Sequence, residues 1–202
     1  MSNYRRAIIP GGCLFFTVVL ANRRSSLLTD RIDMLRAALR AAKQARPFDV
    51  DAIVVLPDHL HCIWTLPPGD ANYAVRWAHI KGVFSRNVSR GEVVCDSRLA
   101  KRERGIWQRR FWEHTIRDEA DYQRHLDYIH YNPVKHDWSK SPADWRFSSF
   151  KRFVGRGYYP VDWRGPQGGP LAHRFPSMNK SRWAKVHKPV GQGPPYQLQR
   201  PT

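Results

Sequence analysis

The sequence contains little cysteine and no long apolar run, and each of these scarcities excludes a class of protein. Its cysteines, Cys13, Cys62 and Cys95, are odd in number, widely spaced and form no CxxC pair. This pattern argues against a disulfide framework and against a cysteine zinc site. No segment reaches the roughly 20 consecutive apolar residues that a membrane-spanning helix needs. We therefore expect a cytoplasmic protein that does not enter a membrane.

Acidic side chains are also scarce in relation to basic ones. The 202 residues include 17 Asp and Glu against 34 Lys and Arg, which gives a formal net charge of +17 at pH 7. A surface with so strong a positive potential attracts polyanions. Nucleic acid is the leading partner for such a field.

The basic charge is concentrated towards the C-terminal end. Residues 151–202 contain ten basic side chains and a single acid, Asp162, together with eight prolines and seven glycines. A segment of this composition buries too little apolar surface to form a core. We therefore predict a folded domain over residues 1–163 and a basic tail over residues 164–202 that is extended or disordered.

Apolar periodicity within the first domain predicts alternating strands and helices. Strands are predicted over residues 13–20, 50–56 and 59–66, the last two forming a hairpin, and residues 106–116 are predicted to be extended. Helices are predicted after an N-cap at Thr29, along the stripe that contains Trp77, and from a cap at Asp118 to Asn132, where Pro133 ends the helix.

The order strand, helix, hairpin, helix, strand, helix is typical of an α+β sandwich. We predict a ferredoxin-like layout, in which an antiparallel sheet carries helices on one face and the basic tail follows the domain.

Two histidines separated by one residue, His59 and His61, form the sharpest local feature. Alternate residues of a strand project from the same face, so the two imidazoles could share one metal ion. Leu60 and Cys62 then point towards the core, which argues against Cys62 as a third ligand. Two nitrogens leave positions open for a substrate oxygen and water, as a catalytic metal needs. Such pairs also occur without a metal on edge strands, and the pair alone leaves that alternative open.

A second feature lies on the predicted last helix, in residues 127–133 (DYIHYNP). Tyr128 and Asn132 are one turn apart and share a face, so Asn132 could complete the metal site and place the Tyr128 hydroxyl beside it. Pro133 disfavours helical geometry at Asn132, which would put this ligand on a fraying last turn. A second tyrosine, Tyr131, lies about 100° from Asn132 around the helix. Taken alone, a tyrosine such as Tyr128 is more often an amphipathic residue on a half-buried helix.

Aromatic residues interleaved with basic ones provide a third signal. Unpaired bases stack on aromatic rings while guanidinium groups hold phosphates. Each of these residues is equally well explained as a core aromatic or as a solvated charge. The candidates for nucleic-acid contact are Tyr4, Arg5, Arg6, Arg23, Arg24, Lys81, Trp107, Arg109 and Arg110.

Together these motifs resemble those of the REP-associated tyrosine transposases, relatives of the small HUH transposases that move insertion sequences as single strands. The longest matching segments are residues 54–64 (VVLPDHLHCIW), 111–114 (FWEH) and 132–135 (NPVK). Shorter ones are Tyr4-Arg5-Arg6, Gly11-Gly12, Trp107-Gln108, Asp127-Tyr128-Ile129, Asp144-Trp145, Phe147-Ser148 and Tyr159-Pro160. The resemblance covers about the first 163 residues.

The resemblance implies roles for individual residues. His59 and His61 match the metal-binding HUH pair, Asn132 matches the third metal ligand and Tyr128 matches the nucleophile. Residues 1–163 are then a single-tyrosine HUH catalytic domain, and the expected metal is Mg²⁺ or Mn²⁺.

The resemblance also implies a substrate and a reaction. Family members act on palindromic repeats that fold as single-stranded DNA hairpins with a short flanking guide sequence. The implied reaction is cleavage and strand transfer through a 5′-phosphotyrosine intermediate and a free 3′-hydroxyl, as in transposition. The sequence itself shows no clear general base, and His125 and His130 are no more than candidates for that role. We expect such an enzyme to work in the bacterial cytoplasm, associated with the nucleoid, and a monomer is favoured over a dimer.

Two other functions are compatible with the composition. A non-catalytic single-stranded nucleic-acid-binding protein would use an RNA-recognition-like sheet and the basic tail without cutting anything. A metal-dependent phosphoesterase would use water in place of tyrosine. Binding alone does not require His59, His61, Tyr128 and Asn132 together, and a covalent protein–DNA adduct separates tyrosine chemistry from water chemistry.

Overall fold

The computed structural model describes residues 8–89, 96–101 and 103–166 of the chain. The predictions for Tyr4, Arg5 and Arg6, and those for the tail beyond residue 166, lie outside the described residues. Within these ranges, no helix has both the length and the apolar character needed to cross a membrane.

Four antiparallel strands form one sheet in the order β2-β3-β1-β4. The strands are β1 (Cys13–Val19), β2 (Asp49–Val55), β3 (His59–Thr65) and β4 (Trp112–Thr115). The two inner strands are almost wholly buried, which agrees with the apolar sequence of β1. In the register of the sheet, Thr17 of β1 lies between His61 of β3 and Trp112 of β4. This row crosses the middle of the sheet.

Helices cover both faces of the sheet. The long helices are α2 (Ile32–Ala45), α3 (Tyr73–Asn87) and α5 (Glu119–Lys135). The short ones are α1 (Leu27–Asp30), α4 (Asp96–Leu99), α6 (Phe150–Val154) and a 3₁₀ turn over Pro142–Asp144. Side chains of α2 and α3 pack in one hydrophobic core, and side chains of α5 and α6 pack in a second core on the opposite face.

The predicted ferredoxin-like α+β sandwich is confirmed, with one difference in the position of the helices. The two helices inside the β-α-β-β-α-β unit, α2 and α3, share one face as predicted, while α5 follows that unit and covers the other face. The reason is that β1 and β3 also carry buried apolar side chains on the second face. Leu14 and Phe16 point into the first core, whereas Phe15 and Ile63 point into the second and need a cover of their own.

Two predicted helix boundaries are wrong and one is confirmed. The helix predicted after Thr29 begins at Ile32, because residues 27–30 form a separate short helix. Asp118 caps α5 as predicted, since its carboxylate accepts a 2.7 Å hydrogen bond from the Asp121 amide. The helix does not end at Pro133 but continues to Lys135. Pro133 lies in the last turn, where its missing N–H costs a single intrahelical hydrogen bond.

Candidate active site

The two histidines of β3 project from the face of the sheet that α5 covers. His59 and His61 are 6% and 3% exposed, and their ring centroids are 5.0 Å apart. Leu60 and Cys62 point to the opposite face and pack in the α2–α3 core, as the alternation of a strand predicts.

Each imidazole is fixed by a hydrogen bond at its Nδ1 atom. His59 Nδ1 donates to Asp58 Oδ1 at 2.7 Å, and His61 Nδ1 lies 2.8 Å from Thr17 Oγ1. His61 Nε2 is buried and has no hydrogen-bond partner among the described residues. Metal-bound histidines usually donate their second ring N–H to a carboxylate or another acceptor, which leaves the first nitrogen for the metal. Burial lowers the pKa of both imidazoles, so they are neutral and able to bind a metal ion.

Asn132 brings a third polar group that lacks a partner. It lies on α5, is fully buried, and neither its side-chain oxygen nor its nitrogen has a hydrogen-bond partner in the described structure. A buried polar group left in this way costs about 1–3 kcal/mol. A metal ion coordinated by the amide oxygen and by the two histidines would remove this cost for the oxygen. The unpartnered atoms therefore fit the metal that the motif implies, and because α5 extends past Pro133, Asn132 lies on regular helix.

Tyr128 lies beside the histidine pair. Its side chain is 37% exposed, and its ring stands edge-on to the His61 ring with 5.0 Å between centroids. Lys135, two turns further along α5, places its ammonium group 5.1 Å from the Tyr128 ring centroid. The tyrosine is thus open to solvent and close to both the His61 ring and a positive charge.

The second tyrosine of the motif has a different environment. The Tyr131 ring lies 6.3 Å from the ring of Trp163. Gly165, at φ +113°, passes so close that a Cβ atom there would lie 2.5 Å from the Tyr131 ring. Tyr131 therefore packs against the segment that follows α6 and does not face the histidines.

Two residues near the histidines were missed by sequence reasoning. Asp58 holds His59 and also forms a 2.9 Å ion pair with Arg23, which places that predicted DNA-binding residue at the edge of the site. The sequence signal for Asp58 was its position directly before the His-x-His pair. His136, the C-cap of α5, lies 5.8 Å from His59 between ring centroids. No local pattern pointed to His136, because its proximity depends on how α5 packs.

Two of the other predicted DNA-binding residues lie in a different part of the described structure from the histidines. Lys81 donates to the Gln108 carbonyl at 2.9 Å, and Arg109 pairs with Glu103 at 2.8 Å. Both line a separate pocket of about 540 Å³. Arg24 and Arg110 are exposed.

The prediction that Trp107 stacks on bases conflicts with its burial. Trp107 is 7% exposed and packs against Phe84 in the α2–α3 core, so its ring is not available to a nucleic acid. The accessible indole of this region is that of Trp112, which is 52% exposed. Trp112 pairs with Thr17 in the register of the sheet, and its side chain lies on the same face as Tyr128.

The two candidates for a general base lie in different surroundings. His130 is fully buried and bonded to Ser149 Oγ at 2.9 Å, away from solvent. His125 lines a pocket that also contains Tyr128. Together with His114 and Asp121, His125 forms a group whose potential ligand atoms lie within 4.8 Å of one another, so by distance alone this group could hold a cation.

Comparison with known proteins gives a consistent result. Residues 12–132 match the family of IS200-like transposases. A REP-associated tyrosine transposase of Escherichia coli K12 is 52% identical over 165 residues, which is 82% of this chain and 92% of that protein. A second REP-associated tyrosine transposase, from Haemophilus influenzae Rd, is 49% identical over 166 residues. These residues make up 82% of this chain and 94% of that protein. A solved structure of a REP-associated tyrosine transposase bound to a REP hairpin is 50% identical, has a TM-score of 0.71, and covers 85% of this chain and 96% of that one.

Proposed function

The chain belongs to the REP-associated tyrosine transposases of the IS200-like family, and from that premise we propose that it cuts and rejoins single-stranded DNA through a covalent bond to Tyr128. The transposase activity is common to the family. The covalent chemistry and the assignment of residues are the proposal.

The proposed substrate is a DNA hairpin formed by a palindromic repeat, with a short single-stranded guide sequence beside it. The homologous structure, 50% identical to this chain, is bound to a REP hairpin. The net charge of +17 provides the long-range attraction that a polyanion requires. Such a substrate places the enzyme on the bacterial chromosome, in the cytoplasm.

His59, His61 and Asn132 would hold the metal, and Mg²⁺ or Mn²⁺ is the proposed ion. When bound, it supplies positive charge that neutralises the scissile phosphate. Asp58 and Thr17 hold the two imidazoles in the orientation that leaves their Nε2 atoms for coordination. The amide oxygen of Asn132 suits a hard cation of this kind.

Tyr128 is the proposed nucleophile. Its hydroxyl oxygen forms a bond to the phosphorus as the bond from phosphorus to the 3′-oxygen breaks, so the products are a 5′-phosphotyrosine and a 3′-hydroxyl. The proton lost by Tyr128 balances the one gained by the 3′-oxygen. Because one phosphoester replaces another, a second 3′-hydroxyl can reverse the step and join strands without ATP. Lys135, close to the Tyr128 ring, would attract the phosphate to the nucleophile.

One observation carries this proposal: Tyr128 lies beside His61 of β3, and one turn further along α5 Asn132, like His61 Nε2, presents buried polar atoms that have no partner among the described residues. A protein that only binds nucleic acid does not require His59, His61, Tyr128 and Asn132 together. All of these groups belong to one chain, so a monomer is sufficient for the proposed reaction.

The test is a search for a covalent adduct. The protein is incubated in Mn²⁺ with a synthetic REP hairpin that carries single-stranded flanks and a 3′-end label, because the 3′ fragment keeps the phosphate that joins to tyrosine. We expect a labelled band that survives denaturation with the wild type and with Tyr131→Phe, and none with Tyr128→Phe. Retained hairpin binding by Tyr128→Phe shows that only the nucleophile was removed. An adduct that depends on Tyr131, or cleavage with no adduct, would reject the proposal.

A further inference from the structure

A pocket of about 620 Å³ opens beside Tyr128, on the side away from Asn132 along α5. It is lined by Phe15, Thr17, Trp112, Arg124, His125 and Tyr128. Its volume falls within the range of about 300–1,000 Å³ that is usual for sites of small organic ligands. The pocket therefore has room for one unit of a polymer substrate next to the proposed nucleophile.

Aromatic rings form an ordered stack along one wall of this pocket. Trp112 lies nearly parallel to His114, with 6.0 Å between centroids and 7° between ring planes. His114 in turn stacks on His125 at 4.6 Å and 17°. The indole at the outer end of the stack is 52% exposed, although most aromatic side chains of the sheet are buried. An exposed ring held in a fixed plane is the surface on which single-stranded nucleic acids stack their bases.

The polar groups of the pocket suit a nucleotide. His125 Nδ1 donates to the Asp121 carbonyl oxygen at 2.8 Å, so the proton of the neutral ring is on Nδ1 and Nε2 is an acceptor. Burial lowers the pKa of His125, which keeps the ring neutral. Arg124 lies one turn before Tyr128 and adds an exposed guanidinium, which the Asp121 carboxylate steadies at 3.2 Å. The pocket thus offers an acceptor for a base N–H and a cation for a phosphate.

A metal ion is a poorer occupant of the His114, Asp121 and His125 group. The Asp121 carboxylate already accepts hydrogen bonds from His114 Nε2 at 2.8 Å and from the Arg117 amide at 3.1 Å. The guanidinium groups of Arg117 and Arg124 also lie 3.5 and 3.2 Å from it. These positive charges oppose the binding of a metal cation to the Asp121 carboxylate.

We propose that this pocket binds the nucleotide next to the scissile phosphate, with its base stacked on Trp112 and its backbone phosphate against Arg124. The inference rests on the proposed role of Tyr128, since that role places the scissile phosphate at the mouth of the pocket. It adds a binding subsite that holds the strand in place while Tyr128 reacts.

The test combines substitutions in the protein with changes in the DNA and measures binding affinity under conditions that prevent cleavage. Affinity for the flanked REP hairpin is determined in a chelator, in the Tyr128→Phe background, with single abasic sites placed in turn along the flanks. We expect one abasic position to weaken binding about 5- to 150-fold, because a base stacked on an aromatic side chain contributes about 1–3 kcal/mol. Trp112→Ala should weaken binding of the intact hairpin by the same factor and abolish the effect of that one abasic site.

Two variants control the cycle. Trp138 is 51% exposed, almost the same as Trp112, so Trp138→Ala should keep the affinity and the abasic profile of the parent. Trp112→Phe retains a ring and should recover part of the affinity, which separates stacking from any loss of folding in the alanine variant.

The position of the sensitive nucleotide is then compared with the bond cut by the wild type. An abasic profile that is identical with and without Trp112, or a sensitive position that does not adjoin the cut bond, would overturn the proposal. Because affinity is measured without metal or cleavage, failure of this cycle and failure to form an adduct at Tyr128 are separate results.

Discussion

At the scale of single residues, Asn132 shows the cost of burying a side-chain amide without hydrogen-bond partners. Its amide is fully buried, and both polar atoms lack partners within the described structure. A leucine has a similar volume and needs no hydrogen bonds.

We therefore predict that Asn132→Leu stabilises the metal-free protein by about 1–3 kcal/mol while abolishing cleavage. Urea unfolding in a chelator measures the first effect and adduct formation measures the second. Addition of Mn²⁺ should raise the unfolding midpoint of the wild type but not that of the variant. A metal-free variant less stable than the wild type would mean that the Asn132 amide is satisfied in solution.

The proposed metal ligands His59 and His61 give a second prediction at this scale. His59→Ala or His61→Ala should abolish cleavage in Mg²⁺ or Mn²⁺, because a single imidazole and an amide oxygen hold such a metal poorly. Hairpin binding should persist, because the substitutions leave the basic side chains of the domain in place. Full cleavage by either variant, or by the wild type in a chelator, would contradict the metal mechanism.

A buried histidine outside the active site should make the stability of the protein depend on pH. Burial lowers the pKa of His130 to about 3, compared with about 6.5 for an imidazole in an unfolded chain. The unfolded state therefore binds the proton more readily, and the contribution of His130 to stability is complete above about pH 6.5 and falls as the pH drops towards 3.

We predict that His130→Gln flattens this dependence, by up to about 1.4 kcal/mol per pH unit between about pH 6 and pH 4. Glutamine does not titrate and can still reach Ser149. The measurement is urea unfolding of both proteins at several pH values. His59 and His61 are also buried with lowered pKa values and remain in both proteins, so the difference in slope isolates His130. If the unfolding free energies of the two proteins fell in parallel as the pH drops, protonation of His130 would not destabilise the folded protein.

At the scale of elements, α5 determines the site because it carries Tyr128, Asn132 and the pocket residue His125. A buried hydrogen bond joins α5 to the segment that follows it. Tyr159 donates to Asp127 Oδ1 at 2.6 Å, and Gln123 donates to the same oxygen at 2.7 Å. Asp127 and Tyr159 are 4% and 5% exposed, so these bonds are shielded from water.

Tyr159→Phe should destabilise the protein by about 1.5–3 kcal/mol, because a buried carboxylate loses its shortest hydrogen bond while the ring is kept. The substitution should also lower the rate of adduct formation at saturating hairpin, since Asp127 adjoins Tyr128 on α5. Urea unfolding and single-turnover cleavage measure the two effects. In the double variant with Asp127→Asn, the stability losses should be less than additive. Strictly additive stability losses would show that the interaction between the two side chains does not stabilise the protein.

At the scale of the whole molecule, the charge is divided between a folded domain and the tail. The structure describes the chain as far as residue 166, and Gly165, two residues beyond the predicted boundary at Trp163, still packs on Tyr131. Beyond that point, residues 167–202 carry six basic side chains and no acid.

Ending the chain after Pro166 should weaken hairpin binding equally for all sequences, because phosphate contacts carry no sequence information. The log–log slope of affinity against salt should flatten by about 0.7 for each phosphate that the tail neutralises in the full-length protein. Affinity at several salt concentrations and the cleavage rate at saturating hairpin are measured for both lengths. A higher cleavage rate in the shortened protein would instead mean that the tail restrains the enzyme, and no change in slope or rate would exclude both roles.

Part of the fold and site follows from the sequence alone, because it depends only on local backbone geometry. Strand alternation places His59 and His61 on one face, and the helical turn places Tyr128 and Asn132 on one face. The apolar runs and the Asp118 cap likewise fix most of the elements. These relations hold between neighbours in the chain, whatever the rest of the molecule does.

The tertiary structure decided everything that depends on contacts between distant segments. The packing of α5 on the second face of the sheet sets the 5.0 Å separation of Tyr128 and His61, and it brings His136 towards His59. Packing also buries Trp107 and leaves Trp112 exposed, although the two lie in the same aromatic and basic segment. Burial and proximity arise from how layers stack in space, and local periodicity carries no information about which of two similar side chains a neighbouring layer will cover.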